Sequence, residues 1–188
     1  LFALVMIDIA LVSDIFKNLS TKEDSVENEV VAATNICRNH QNWRNCYGNQ
    51  LSTLTRKDGL EFSLKVLGEL KRADKKTNDC HIIAHKLAGE AVAKQPSNWQ
   101  GVINSVDINS CNYGFVHGVI ESRSRFDPGF LLNEQTIVQM CNAIANEGDR
   151  GVDQSCAHIM GHVLLAEENG SIQGAVDVCN KVSGELRT

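Results

Sequence analysis

Three short stretches hold most of the residues in this chain that could do chemistry: Cys80-His81-Ile-Ile-Ala-His85, Cys111-Asn-Tyr-Gly-Phe-Val-His117-Gly-Val-Ile-Glu121 and Cys156-Ala-His158-Ile-Met-Gly-His162. In each, one potential metal ligand is followed four residues later by another: His81/His85, His117/Glu121 and His158/His162. On an α-helix that spacing puts both side chains on one face, with Cβ atoms roughly 6 Å apart. Two imidazoles so placed can converge on one ion, as they do in the helix of an HExxH zinc site. Random order does not supply such pairs. Six histidines in 188 residues predict about 0.16 His-x3-His pairs, and the chain has two.

Imidazole suits zinc, copper, iron and nickel, whereas calcium and magnesium want oxygen. His81, His85, His117, Glu121, His158 and His162 are too many ligands for one tetrahedral zinc and enough for two ions. The expectation is therefore one or two transition-metal ions at a shared centre. Copper or zinc is favoured over iron, because iron(II) is readily oxidised in an oxidising compartment. Each residue also has a plainer reading: a single His-x3-His pair is more often two satisfied core histidines, and Glu121 alone is more often a surface acid. Glu90 and Glu167, five residues after His85 and His162, are candidates to orient the imidazoles or are simply solvated. His40 lies outside any helical pattern and is a weaker candidate. In ligand type, the set resembles those of type-3 copper proteins and hemerythrin-like di-iron proteins. The resemblance extends to the ligand spacings and not to either family's full pattern.

Other chemistries lack their motifs. The chain has no GxGxxG, Walker-type loop or GxSxG elbow, and no Cys-x-x-Cys-His for covalent haem attachment. No Cys-x2-Cys pair suggests a zinc ribbon. A net charge of −5 without a basic run argues against nucleic acid as a partner.

The elements that must position these residues read as helices. Two prolines, 5% aromatics and abundant Ala, Leu, Glu, Lys and Gln predict an all-α fold. The expected form is a compact helical bundle or stacked helical hairpins of about six to eight helices. Leu60, Leu64, Leu67 and Leu70 mark one apolar stripe, ending near Asp74. Asp79 is placed to cap a helix from Cys80 to about Ala93, buried through Ile82, Ile83, Leu87 and Val92. Ser110 is placed to cap the helix of the second motif, which Phe126-Asp-Pro-Gly should end. Gly114 and Gly118 strip one face of that helix and invite another backbone or a ligand to approach. Further helices are expected over 133–146 and 154–168, and from Ser171 to about Val182. The acids of Glu147 to Asp153 lack calcium-loop spacing and read as a solvated loop.

Seven cysteines in one chain read as disulfides formed in an oxidising compartment. The expected pairs are Cys37–Cys46, Cys80–Cys111 and Cys141–Cys156, with Cys179 left over. The protein is therefore placed outside the cytoplasm: secreted, periplasmic or at the cell surface. The apolar run Leu1 to Phe16 is short for a membrane span and carries Asp8 near its middle. It reads as the trimmed end of a signal or anchor, as an intersubunit helix, or as a helix packed on its own domain. The expected organisation is an N-terminal segment and polar linker over 1–25, then a helical metal-binding domain over 26–188. Membrane or neighbouring subunits would be partners through the first part. Three functional classes fit: a redox or small-molecule-handling metalloprotein, an assembly subunit stiffened by metal and disulfides, and a non-covalent haem protein. No motif assigns a reaction.

Overall fold

The structure, a computed structural model, describes residues 25–107, 110–131, 133–144, 158–165, 171–174 and 176–177. Every regular element among them is helical, as the composition predicts. In chain order the longer ones are α1 (25–37), α2 (Trp43–Asp58), α3 (Leu60–Ala73), α4 (His81–Lys94), α5 (Trp99–Asn104), α6 (Gly114–Phe126), α7 (Glu134–Ile144) and α8 (158–165). Among these no helix is long and apolar enough to cross a membrane. Leu1 to Phe16, the 147–153 loop, Cys156, Glu167 and Cys179 lie outside the described residues.

α3 ends at Ala73 as its leucine stripe predicts, burying Val66, Leu67 and Leu70. In α4, Ile83, Leu87 and Val92 are buried, but Ile82 is 40% exposed and leaves the expected stripe. The turn-prone, asparagine-rich stretch from Cys37 to Gly48 is mostly helix. Asn42 ends the turn by accepting the Asn45 backbone N–H (3.3 Å), an N-cap. Tyr47, Leu51 and Leu54 then follow at helical spacing and are buried.

Two expected caps are corrected. Asp79 does not cap α4. Its carboxylate accepts from Arg44 Nε on α2 (3.0 Å), a bond between two charged groups. Ser110 does not start the second motif helix either. Cys111, Asn112 and Tyr113 have φ of 57°, 52° and 60°, so the backbone makes a left-handed turn and α6 begins only at Gly114. Asn133 does cap α7, accepting the Thr136 N–H at 2.9 Å.

Two disulfides join as expected: Cys37–Cys46, closing the α1–α2 turn, and Cys80–Cys111, with Cα atoms 5.0 Å apart. Cys141 is also disulfide-bonded, and its expected partner Cys156 lies outside the described residues.

α4 is the element on which the others converge, with its largest contacts to α6 and then to α2. The α4–α6 contact is made backbone to backbone. A Cβ added at Gly114 would lie 2.5 Å from the His81 carbonyl oxygen. One added at Gly118 would lie 2.8 Å from both His85 Cα and Ala88 Cβ. The glycine stripe is therefore met by another backbone, one of the two alternatives its spacing allows.

Gly118→Ala should accordingly force α4 and α6 apart and cost on the order of 2–3 kcal/mol in denaturant unfolding, an overpacking penalty. Gly68→Ala is the control. Gly68 lies inside α3 with nothing within 4 Å of its missing Cβ, so the change should be neutral or stabilise by up to about 1 kcal/mol. Equal loss of stability in both variants would contradict the close contact.

Candidate metal centre

Because α6 lies so close to α4, the side chain between its two glycines is thrust in among the histidines of its neighbour. His117 is buried, at 6% exposure. Its ring centroid lies 5.0 Å from that of His81, 5.8 Å from His85, 5.0 Å from His158 and 5.2 Å from His162. The structure thus gathers all five histidines of the three motifs around one of them. Glu121, one turn beyond His117, reaches His85 instead, with Oε2 2.9 Å from His85 Nε2.

The remaining candidates sit elsewhere. His40 is exposed, and its Nδ1 accepts the Asn42 backbone N–H at 3.0 Å, a local turn contact. Glu90 orients no imidazole. Its two oxygens accept from Arg56 Nε and Nη2, each at 2.8 Å, because the guanidinium fork offers a better-matched partner. Cys80 and Cys111 are used up as a disulfide and offer no thiolate.

Hydrogen-bond logic fixes which nitrogens are free. His81 Nδ1 lies 3.0 Å from the Asn112 carbonyl oxygen. A carbonyl only accepts, so Nδ1 carries the proton, and in the neutral ring His81 Nε2 is bare. That bare nitrogen lies 3.0 Å from His117 Nδ1, which must therefore donate to it. The lone pair of His117 is left on Nε2, which is buried and has no hydrogen-bond partner. An unmade bond on a buried polar atom costs about 1–3 kcal/mol. His117, His158 and His162 each offer one ligand atom, and these three lie within 4.8 Å of one another. Imidazole nitrogens on a tetrahedral zinc sit about 3.3 Å apart, from bonds of about 2.0–2.1 Å. The triad is thus a small inward movement from coordination geometry. His158 and His162 are exposed, so the cluster has a side open to solvent.

The electrostatics leave the buried ring unprotonated. Burial, followed by the proximity of His81, His85, His162 and His158, pulls the His117 pKa down to about 3. The hydrogen bond from His85 holds the Glu121 carboxyl below its ordinary value, against the opposing effect of burial. His117 is therefore a neutral donor and Glu121 an anion across the physiological range. Sequence spacing found every histidine of the cluster but missed Asn112, whose backbone carbonyl gives no side-chain signal.

Comparisons of the chain with protein-family models, with curated proteins and with solved structures returned no match. The site is read from its own geometry.

A pH dependence follows for the metal-stripped protein. Between about pH 6.5, where an unfolded histidine titrates, and about 3, the unfolded chain holds a proton on His117 that the folded chain does not. Stability therefore rises with pH across that window, and acidification removes at most about 1.4 kcal/mol per pH unit through this group. Urea unfolding from pH 6.5 to 5.0, above the carboxylate range, should show this loss, and His117→Leu should flatten it. An unchanged slope in the variant would show that His117 is not held neutral.

Proposed function

We propose that this protein binds a first-row transition-metal ion through His117 Nε2, His158 and His162. The observation that carries this reading is the buried, unpartnered His117 Nε2 in the midst of four other imidazoles. Without an ion that lone pair is a standing cost; with one it becomes a bond. In this reading His81 is the orienting residue. It holds the His117 tautomer from behind, as the outer hydrogen-bond partners of metal-bound histidines commonly do. His85 and Glu121 adjoin the triad as a further imidazole and carboxylate, available to complete its shell or to hold a second ion.

A set of imidazoles with one carboxylate suits copper or zinc, with iron a third option. The exposed flank at His158 and His162 favours a centre with a coordination position open to solvent, and so a redox or small-molecule-handling role over a closed structural site. The haem alternative loses ground. Four of the rings pack on His117 or on each other at about 5 Å, stacked or edge to face, where a flat macrocycle would have to lie. The disulfides Cys37–Cys46 and Cys80–Cys111 support an oxidising, extracytoplasmic setting.

Elemental analysis and an optical spectrum of the native protein test the proposal together. At least one equivalent of copper, zinc or iron should be bound. His117→Ala, His158→Ala and His162→Ala should each remove most of it. His81→Ala should retain the metal but lower its affinity about 10–100-fold in competition with a chelator. Metal content unchanged in the three ligand variants would overturn the reading.

A further inference from the structure

A groove of about 270 Å³ opens beside the histidine centre, between α2, α4 and α6. His85 and Glu121 form part of its wall, so a molecule in the groove meets the outer edge of the cluster. Its ionisable lining is unevenly satisfied. Glu90 is held by both arms of Arg56 at 2.8 Å, and Glu121 is engaged by His85 at 2.9 Å. Both lining carboxylates are thus occupied. Among the described residues the two lining cations have no such partner: Lys86 donates to the neutral Asn49 Oδ1 (2.6 Å), and Arg125 acts on Glu121 only at a distance.

Lys86 is also held in place. Gly48 has no Cβ where the Lys86 Cδ would lie 2.7 Å from one, so the lysine stem lies against α2. An ammonium carries three donors, so after Asn49 two remain. At the mouth the Phe126 side chain is 41% exposed, and Ala93 adds apolar surface.

We propose that this groove binds a small organic carboxylate, its charged end taken by Lys86 and Arg125 and its apolar part by Phe126 and Ala93. The volume lies just below the usual 300–1,000 Å³ of small-molecule sites, which limits the ligand to about the size of benzoate. The assignment rests on the metal reading only for what the ligand would meet at His85 and Glu121. Lys86, Arg125, Phe126 and Ala93, which would hold the ligand, lie outside the proposed ligand set.

The test is an NMR shift titration of the full chain, in zinc-loaded and chelator-stripped forms, with benzoate, benzyl alcohol and inorganic phosphate. Benzoate should bind saturably in both forms. Benzyl alcohol, which lacks the charge, and phosphate, which lacks the ring, should each bind at least tenfold more weakly. Lys86→Gln/Arg125→Gln, checked for native helicity, should weaken benzoate at least tenfold. Equal binding of benzyl alcohol or of phosphate would overturn the proposal, as would an unaffected double variant. Benzoate binding confined to the zinc-loaded form would place the carboxylate on the ion and also overturn it. Zinc content measured on the same samples separates the two claims. Benzoate binding to a chain that takes up neither zinc nor copper nor iron would uphold the groove and remove the metal reading. Zinc uptake without benzoate binding would do the reverse.

Discussion

The approach of α6 to α4 over two glycines is the contact on which the site depends. Gly114 meets the backbone of His81 and Gly118 the backbone of His85, at distances no β-carbon tolerates. The stripe and the ligand pair of α4 share the same four-residue step. Each glycine therefore docks beside one histidine, and His117, one residue before Gly118, enters between them. Helix packing and site assembly are here one event, and the burial that neutralises His117 comes with it.

Close packing brings the rings together but does not choose their protons. That choice is made at the left-handed turn Cys111–Tyr113, whose Asn112 carbonyl faces His81. Left-handed conformation costs a non-glycine residue roughly 1–2 kcal/mol, so three in succession are tenable only if something else holds them. The Cys80–Cys111 disulfide does so, tying the turn to the residue before His81. Closing a loop of this length is worth about 3–4 kcal/mol in the chain-entropy view, the same order as the strain. The oxidised staple, the strained turn, the His81 tautomer and the His117 lone pair form one series of causes.

What the sequence made legible was whatever depends on period. Four-residue spacing put His81/His85, His117/Glu121 and His158/His162 on helix faces, and the leucines after Gly59 set α3. Gly114 and Gly118 were readable because only a close neighbour explains a bare helical stripe. Competition between partners was not readable. Asp79 is a good cap by type, yet Arg44, 35 residues away, takes it. Glu90 is well placed to orient an imidazole, yet Arg56, 34 residues away, takes it. The asparagines of 37–48 are turn-prone by type, but Asn42 caps α2, whose stripe Tyr47, Leu51 and Leu54 has helical spacing. Long-range pairing decides such cases, and local pattern carries no trace of it.

The same distinction bears on the six candidate ligands. Spacing assigns a face to each side chain and treats the six as equivalent, whereas the hydrogen bonds separate them. His81 has one bare nitrogen, and it is already turned to His117. His85 and Glu121 are turned to each other. His117 alone is buried with an unused lone pair, and His158 and His162 stand beside it on the open flank. A single spacing repeated three times therefore yields three unlike arrangements: the α4 histidines are turned to His117 and Glu121, His117 of α6 is buried with an unused lone pair, and the α8 pair stands exposed beside it. The asymmetry comes from burial. Only the helix with the glycine stripe can be inserted deeply enough for its histidine to lose contact with water, and that loss makes its lone pair the centre of the site.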